Sequence, residues 1–395
     1  MMSTPSGALE STQAAEHVWH VNAIRPVKYR VLECSGLFQT GNDTLVTHLF
    51  ASKGRRRRAL LVVDETVARL HGASIQRYFE RHEVETSLFP LATTESEKNI
   101  ENVLRISKAM HAFGLNRRSD PLIGIGGGVL LDIVGLAANL YRRGTPYIRV
   151  PTTLMGLIDA GIGVKTGVNF DEHKNRLGSY YAPDAAFLDR TFLNTLDARH
   201  VSNGLAEVLK MALIKDARLF ELMERHASRL VPDRLLGSPD YDEIFRRAVH
   251  GMLEELEPNL WEDTLERCVD YGHSFSPLLE MKALPGLLHG EAVGIDMVFS
   301  LILARNRGLT EARDVERVVA VMRHLALPLS NPLVTPEFMR EGLEDATRHR
   351  DGKQRLPLTR GLGGCTFVND VTPAELARAV EDHHRLAARF EAAAA

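Results

Sequence analysis

Cysteine is scarce in this sequence, since Cys34, Cys268 and Cys365 are the only three among 395 residues. Their number is odd and no two of them have CxxC spacing, which argues against a disulfide framework and against a structural zinc site. Long apolar runs are also lacking, because none approaches the roughly 20 residues that a membrane-spanning helix needs. The first residues contain no apolar stretch typical of a secretory signal peptide. We therefore expect a cytoplasmic protein with no membrane as a partner.

An excess of charge of one sign is lacking as well. Lys and Arg number 48 and Asp and Glu number 51, so the formal net charge is -3. This balance gives no support for nucleic acid as a partner. The run Arg55-Arg56-Arg57-Arg58 is the local exception, and we interpret it as a solvated approach to the apolar residues 59–63.

The length of the chain favours two domains, because a single hydrophobic core usually stops growing at a smaller size. Residues 1–25 are rich in small and polar residues and predict a disordered leader. Residues 26–189 alternate short β-rich runs with helical patterns, which predicts an α/β dinucleotide-binding (Rossmann-like) domain with a parallel sheet. Residues 190–395 show helical periods punctuated by Pro and Gly, which predicts a mostly α-helical second domain.

The α/β region divides into elements by its apolar periodicity. Strands are predicted at 59–63, 84–90, 121–124 and 147–150, and helices at 66–80, 96–113 and 129–140. Gly126-Gly127-Gly128 connects a strand to a helix, where backbone N–H groups can approach a pyrophosphate. The run is not the GxGxxG fingerprint, and an ordinary glycine turn explains it equally well. Asp64 could bind a ribose hydroxyl, and Glu95 and Lys98 could contact an adenosine.

A dense polar run follows the strand at 147–150 and predicts a loop that holds an anionic ligand rich in hydroxyl groups. Its lysines can neutralise a phosphate, and its Asn and Asp side chains can recognise sugar hydroxyls. The alternative is a solvated hairpin, but Gly161, Gly163 and Gly167 indicate close packing. The run comprises Pro151-Thr152-Thr153-Leu154, Asp159, Lys165-Thr166-Gly167-Val168-Asn169 and His173-Lys174-Asn175.

Three residues of the second half have the chemistry of a metal site. Glu207 lies on an apolar-faced helix with Lys210 one turn later on the same face. Together with His273 and His289 it would form a three-ligand set with an open position, as in catalytic zinc sites. Each of the three alone would more often be structural. Asp296, two turns after His289, could orient a ligand, could recognise the substrate or could only form an intrahelical salt bridge.

In order and spacing, these motifs resemble the 3-dehydroquinate synthase family of sugar phosphate cyclases over roughly residues 60 to 300. The motifs that carry the resemblance are Gly126-Gly127-Gly128-Val129 with Asp132, Arg143-Gly144, Pro151-Thr152-Thr153-Leu154, Asp159, Lys165-Thr166-Gly167, Lys174-Asn175, Gly204, Ala206-Glu207-Val208, Lys210, Gly272-His273 and His289-Gly290-Glu291-Ala292-Val293. The resemblance implies a dehydroquinate synthase-like fold, a homodimer, bound NAD and a divalent metal, zinc with cobalt as a possible substitute.

The resemblance also implies roles for individual residues. Glu207, His273 and His289 are the expected metal ligands, and His273 is also counted as catalytic. Asp159, Lys165, Asn175 and Lys210 are expected to contact substrate hydroxyls or polarise developing charge. Arg143, supplied by the partner subunit, and Lys353 are expected to bind phosphate, and Asp270 to face the substrate. The expected NAD contacts are Asp64, Glu95, Lys98, Gly127, Gly128, Asp132, Thr152, Thr153, Lys174 and Thr195.

Two departures from 3-dehydroquinate synthases bear on the substrate. Pro277 stands where those enzymes have a second histidine, and Asp270 stands where they usually have asparagine. An aspartate there would repel a substrate carboxylate. The segment 272–297 resembles the branch that acts on sedoheptulose 7-phosphate, which includes 2-epi-5-epi-valiolone, 2-epi-valiolone and desmethyl-4-deoxygadusol synthases. The stretch His273–Met297 favours the first of these groups.

The chemistry expected of such an enzyme is redox-neutral. Phosphate leaves C7 readily only if a carbanion forms at C6, which requires a ketone at C5, and NAD can make that ketone transiently. After the hydride returns, ring opening and aldol closure yield a carbocycle. Because NAD is regenerated, the enzyme would be a lyase. The alternatives are an NAD oxidoreductase related to glycerol dehydrogenase and a sugar-phosphate-binding regulator with a relic site.

Overall fold

The computed structural model describes residues 18–50, 57–171 and 173–392. Most of the predicted leader, residues 1–17, lies outside the described residues, as do Arg55 and Arg56 of the basic run. Residues 18–29 form neither helix nor strand, and the side chains of Trp19 and Ile24 are 70% and 97% exposed.

The first half of the chain builds a parallel sheet of six strands. The strands of the sheet are β1 (Arg30–Cys34), β2 (Arg58–Asp64), β3 (Glu85–Leu91), β4 (Leu122–Gly126), β5 (Tyr147–Pro151) and β8 (Ala185–Asp189). Their order across the sheet is β1-β8-β5-β4-β2-β3. The strands and helices predicted for this half are confirmed, and their ends differ from the predicted ends by a few residues. The accompanying helices are α1 (Thr44–Leu49), α2 (Glu65–Arg81), α3 (Ile100–Ala112) and α4 (Gly128–Leu140).

Helices cover both faces of this sheet, so its central strands are buried. Every residue of β4, β5 and β8 is buried. One hydrophobic cluster contains Ile75 and Phe79 of α2, and another contains Ile106 of α3 and Leu131 of α4. The two clusters lie on opposite sides of the sheet, since Leu61 and Leu60 of β2 point into different ones. This is the Rossmann-like layer arrangement that the alternating pattern predicted.

The polar run after β5 differs from the loop that its composition predicts and contains a hairpin, which was the alternative. It forms a π-helical turn (Gly156–Ala160) and then an antiparallel hairpin of β6 (Lys165–Phe170) and β7 (His173–Tyr180). Gly167 and Gly178 are opposite one another in this hairpin. A Cβ on Gly178 would lie 2.4 Å from the Thr166 carbonyl oxygen, so the strands approach closely because side chains are missing there.

The second half is mostly helical, as predicted. After a 3-10 turn (Arg190–Thr195) its helices are α5 (Ala198–Ile214), α6 (Ala217–Leu230), α7 (Pro239–Leu256), α8 (Ser276–Lys282), α9 (His289–Asn306), α10 (Ala312–His324), α11 (Pro336–His349) and α12 (Pro373–Ala392). A small hairpin of β9 (Leu356–Thr359) and β10 (Cys365–Val368) lies among them. Helix α9 is buried from Gly290 to Ala304, so it forms the centre of this half.

The sheet ends at Asp189 and α5 begins at Ala198, on either side of the boundary expected near residue 189. The hydrophobic core is nevertheless continuous across that boundary. Leu154 and Ile158, which follow β5, belong to the same cluster as residues of α5, α6 and α9. No helix within the described ranges combines the length and the apolar character that crossing a membrane requires.

Candidate active site

Three side chains that can bind a metal meet where α5, the turn before α8 and the start of α9 come together. Glu207 is completely buried, and its Oε1 lies 3.6 Å from Nε2 of both His273 and His289. The potential ligand atoms all lie within 4.8 Å of one another. Tetrahedral ligands at zinc distances are separated by about 3.4 Å. The cluster therefore has the dimensions of a metal centre.

The orientation of each imidazole is fixed by a partner on its other nitrogen. Nδ1 of His273 lies 3.1 Å from the Tyr271 carbonyl oxygen, and Nδ1 of His289 lies 2.8 Å from Oε2 of Glu280. Both partners are acceptors, so we assign the proton to Nδ1 in each ring. Each Nε2 then faces Glu207, whose Oε1 accepts no hydrogen bond from the described residues. Two imidazole nitrogens and a carboxylate oxygen that converge in this way form a donor set that suits a divalent cation.

The ionisation of the three groups fits the same interpretation. Burial opposes ionisation of Glu207, but Lys210 and the two histidines outweigh it and hold the pKa of that carboxyl well below its usual range. Burial, reinforced by Lys210, lowers the pKa of His273 to about 3. Burial and Lys174 oppose protonation of His289, yet the Glu280 and Glu207 carboxylates raise its pKa to about 9. The proton favoured on His289 is one that a bound metal would displace.

Two further predicted residues lie beside the metal cluster. Nζ of Lys210, a nearly buried side chain, is 2.5 Å from Oε2 of Glu207. Asp159 lies in the π-helical turn, and burial together with the Glu207 carboxylate raises its pKa, against an opposing effect of Lys210. The structure thus brings Asp159, Glu207, Lys210, His273 and His289 together.

Close helix packing explains why the ligands meet. A Cβ on Gly290 would lie 2.0 Å from the Asn203 carbonyl oxygen, so only glycine lets the first turn of α9 contact α5. The Gly290 N–H also donates to Oδ1 of Asn203 at 2.6 Å. Asn203 is one turn before Glu207, and Gly290 is next to His289. The contact therefore fixes the separation of two of the three ligands.

Asp296 fixes the turn that carries the third ligand. Its Oδ2 accepts hydrogen bonds from the backbone N–H groups of Phe275 and Ser276, at 2.6 and 2.8 Å, and its Oδ1 accepts one from Ser300. These bonds tie the start of α8 to the middle of α9. Of the three roles open for Asp296, the structure supports the first, since Asp296 orients the segment that follows His273.

Glu280 is a site residue that the motifs did not single out. It is 2% exposed and accepts from Lys174 Nζ at 2.5 Å as well as contacting His289. Lys174 Nζ is also 3.1 Å from Nδ1 of His289. The structure thus places the Lys174 ammonium group beside Glu280 and His289, and its expected contact with NAD stays a prediction. The available signal in the sequence was an acidic residue one turn after Pro277.

A group of charged residues lies next to the metal cluster and is called the charged end below. It consists of Lys165, Glu262, Arg267 and Asp270. Glu262 forms ion pairs with both Lys165 and Arg267, the latter at 2.5 Å. Arg267 also lies 3.1 Å from Asp270. Burial raises the pKa of Asp270, but Arg267 and Lys165 lower it by more. This carboxylate is therefore ionised, and it is paired with Arg267.

This pairing changes the physical argument about Asp270, whose contact with the substrate stays a prediction. An unpaired aspartate would repel a substrate carboxylate strongly, whereas Asp270 shares its charge with Arg267. The cation that could bind a substrate carboxylate, Arg267, is occupied by two carboxylates of the protein itself. Exclusion of an acidic substrate is therefore expected to depend on Glu262 as well as on Asp270.

The glycine turn has the form of an anion-binding site. Gly127 is the N-cap of α4 and supplies no side-chain cap, so the first N–H groups of the helix stay available to a ligand. A Cβ on Gly128 would lie 3.0 Å from Cβ of Ala160, and one on Gly127 would lie 3.2 Å from Cγ2 of Thr153. A Cβ on either glycine would press against these neighbours and narrow the approach to the N–H groups.

Only some of the residues expected to bind NAD lie beside the glycine turn. Asp64 caps α2 through the N–H groups of Thr66 and Val67, and its Cβ is 3.2 Å from where a Cβ of Gly126 would stand. The Thr152 N–H donates to the Gly126 carbonyl at 2.9 Å. Thr195 is exposed at the end of its 3-10 turn and contacts His71 at 3.0 Å. No described contact links Thr195 to the glycine turn.

Lys98 connects the nucleotide side to the hairpin. It is nearly buried, forms an ion pair with Asp132 at 2.6 Å and donates to Oδ1 of Asn175 at 2.6 Å. Burial opposes its charge, but Asp132 and Glu95 raise its pKa. Glu95 accepts from Nδ2 of Asn169 at 2.8 Å. Asn175, predicted to contact the substrate, is thus held by Lys98.

The two predicted phosphate ligands lie apart from these residues. Arg143 is exposed in a left-handed turn after α4, with φ of 61°. Lys353 is exposed, and its side chain makes no hydrogen bond or ion pair with the described residues. The buried cation of that segment is Arg350, whose two Nη atoms each lie 3.2 Å from Oγ of Ser274.

Known proteins resemble this chain over nearly its whole length. Residues 88–203 match the model of the 3-dehydroquinate synthase N-terminal region, and residues 204–347 match that of the C-terminal region. A 2-epi-5-epi-valiolone synthase from Actinomyces sp. is 51% identical over 373 residues, covering 93% of this chain and 98% of the relative. A demethyl-4-deoxygadusol synthase from Trichormus variabilis is 37% identical, covering 96% and 93% of the two chains.

A solved structure of a relative has a fold similar to that of this chain. The 2-epi-5-epi-valiolone synthase from Streptomyces hygroscopicus subsp. jinggangensis, with NAD+ and Zn2+ bound, superimposes with a TM-score of 0.89 at 51% identity. The match covers 93% of this chain and 99% of that one.

Proposed function

Since the chain belongs to the 3-dehydroquinate synthase family, we propose that it is a sedoheptulose 7-phosphate cyclase of the 2-epi-5-epi-valiolone synthase type. The observation that carries the proposal is identity of 51% with such synthases over nearly the full length of both chains. The buried cluster of Glu207, His273 and His289 supports it, since it provides the metal site such chemistry needs. In reaction class the enzyme would be a lyase that eliminates phosphate.

The residues present fit both cofactors. Glu207, His273 and His289 would hold Zn2+, or Co2+ in its place, and the uncapped N-terminus of α4 would hold the pyrophosphate of NAD. When bound, NAD supplies reversible hydride acceptance from one substrate carbinol, and the metal polarises the oxygen atoms of that carbinol and its neighbour.

The other site residues would bind and orient the substrate. Lys210 is held against Glu207, so its ammonium can donate to a substrate hydroxyl near the metal. Asp159 has a raised pKa, so its carboxylate oxygens can hold or release a proton beside that hydroxyl. Lys165 would contact a substrate hydroxyl or stabilise developing charge, and Lys353 and Arg143 of a partner subunit in a homodimer would bind the phosphate. Asn175, held by Lys98, would accept or donate a hydrogen bond to the sugar chain.

The charged end supports a substrate without a carboxylate. Its two carboxylates occupy Arg267, so an acidic substrate would find no free cation there. A neutral hydroxymethyl group can instead donate a hydrogen bond to Asp270. The product would be 2-epi-5-epi-valiolone, a C7-cyclitol building block for natural products such as antibiotics, formed in the cytoplasm.

A single incubation separates this proposal from its alternatives. The protein is mixed with sedoheptulose 7-phosphate, zinc and NAD, and inorganic phosphate and NADH absorbance are followed together. A cyclase releases phosphate without net NADH, because the hydride returns to the substrate. A dehydrogenase related to glycerol dehydrogenase accumulates NADH, and a binding regulator does neither. Product identification by NMR then distinguishes 2-epi-5-epi-valiolone from 2-epi-valiolone and desmethyl-4-deoxygadusol.

A further inference from the structure

Arg149 is a charged side chain in the interior of the parallel sheet. It lies on β5 and is completely buried. Within the described ranges no carboxylate is close enough to form an ion pair with it, and its two Nη atoms donate to carbonyl oxygens. Burial of a guanidinium group is costly, and carbonyl dipoles compensate for it less well than a carboxylate would. Core packing alone therefore gives no reason for an arginine at this position.

The carbonyls that Arg149 binds all belong to the segment 160–165. Nη1 donates to the Ala160 carbonyl at 2.9 Å and to the Gly163 carbonyl at 2.6 Å, and Nη2 donates to the Lys165 carbonyl at 2.9 Å. Two other groups bind the same segment from outside. Tyr29 donates its hydroxyl to Ile162 at 2.8 Å, and the Tyr181 N–H donates to Val164 at 2.7 Å.

The segment 160–165 lies between two residues of the proposed active site. Asp159 immediately precedes it, and Lys165 is its last residue. It contains Gly161 and Gly163 and forms no regular secondary structure from 161 to 164. A short connection of this composition has no stable conformation of its own, because glycine loses much backbone freedom on ordering. The three bonds from Arg149 supply the constraint that the segment lacks.

We propose that Arg149 is a positioning residue for the cyclase reaction, which sets the placement of Asp159 and Lys165 by binding three carbonyls of the segment between them. The proposal rests on the proposed function for the roles of these two residues. Arginine suits the task because its planar fork presents several donors in fixed directions. A lysine at this position has a single nitrogen and cannot span all three carbonyls.

The test compares Arg149→Ala and Arg149→Lys with the control Arg58→Ala. Arg58 is a matched control because it is a largely buried arginine of the same sheet that donates to the carbonyls of Phe113 and Gly114, outside the site. We measure hydrogen exchange of amides 161–165, then kcat and KM for phosphate release. Arg149→Ala should accelerate exchange in this segment and lower kcat about a hundredfold, as expected for a displaced catalytic group. NAD affinity should stay within about threefold of wild type.

Guanidinium ion supplied to Arg149→Ala should restore segment protection and at least about tenfold of kcat, whereas methylammonium should not, because only the planar ion reproduces the fork. Arg149→Lys should fall between wild type and Arg149→Ala, and it decides the question if Arg149→Ala does not fold. Unchanged exchange at 161–165, or equal effects in Arg58→Ala, would overturn the proposal. If the wild type releases no phosphate, the proposed function fails. Hydrogen exchange of amides 161–165, with and without guanidinium ion, then still tests whether Arg149 orders this segment.

Discussion

The metal cluster and the charged end are neighbouring parts of one site, and they are organised in opposite ways. In the metal cluster a further partner fixes each imidazole, and both Nε2 atoms converge on one carboxylate oxygen of Glu207. In the charged end, Lys165, Arg267, Glu262 and Asp270 satisfy one another. The first arrangement presents donor atoms that suit a cation. The second must exchange internal pairs for substrate contacts, so it is better suited to selection than to tight binding.

The largest effect is expected at the metal cluster. His289→Ala, or removal of metal by a chelator, should lower phosphate release by at least about a thousandfold, because the group that polarises the substrate is lost. His250→Ala, an exposed histidine of α7, is the control and should retain full activity. Circular dichroism should show an intact fold in both variants. Full activity of a metal-free preparation would contradict the proposed metal-dependent mechanism.

An intermediate effect is expected from the partner of a ligand. Glu280→Gln should weaken zinc affinity about 10- to 100-fold, because the carboxylate that orients His289 becomes a neutral amide. Competition with a chromophoric chelator measures this without reference to turnover. Glu341→Gln, which removes an exposed partner of Lys282, is the matched control. Wild-type zinc affinity in Glu280→Gln would mean that the ring orientation is set by other contacts.

The charged end should respond in selectivity instead. The double variant Glu262→Gln/Asp270→Asn frees Arg267, so kcat/KM for the carboxylated heptulosonate phosphate should rise about tenfold relative to sedoheptulose 7-phosphate. Competition between the two substrates, with products identified by mass spectrometry, gives the ratio. No change in the ratio would show that Arg267 does not face the substrate.

The smallest effect is expected from Asp270→Asn alone. Glu262 still holds Arg267 in that variant, so the selectivity should shift by about threefold or less. The single and double variants should therefore be non-additive, as expected for residues that share one partner. A single variant equal to the double would restore the simpler interpretation, in which Asp270 acts by direct repulsion.

The sequence was sufficient for the fold and for the composition of the metal cluster, but not for the pairings around it. The buried strands and amphipathic helices have strong periodic signals, and the resemblance to the 3-dehydroquinate synthase family brought Glu207, His273 and His289 into one set. The hairpin β6–β7 was only the alternative interpretation because Lys, Asn and Gly have low strand propensity, and the hairpin is possible only through the close contact of two glycines. The π-helical turn was not predicted.

Pairings such as Lys174 with Glu280 depend on how a hairpin meets a helix about a hundred residues later. Residue types alone do not give that angle, so the sequence did not predict the contact of Lys174 with Glu280. Glu262 and Arg267 were missed for a related reason. Each is an ordinary surface-type residue in the sequence, and only the fold turns them toward Lys165 and Asp270.

Lys174 and Asn175 are consecutive residues of β7, yet one contacts the metal cluster and the other contacts Lys98 on the nucleotide side. Neighbouring residues of a strand point to opposite faces, and the positive φ of Asn175, 54°, bends the chain between them. The positions of two side chains, one at the metal cluster and one on the nucleotide side, therefore depend on the same strand register. A slip of one residue would exchange the faces of both side chains, so insertions and deletions in this hairpin should disable metal and nucleotide contacts together.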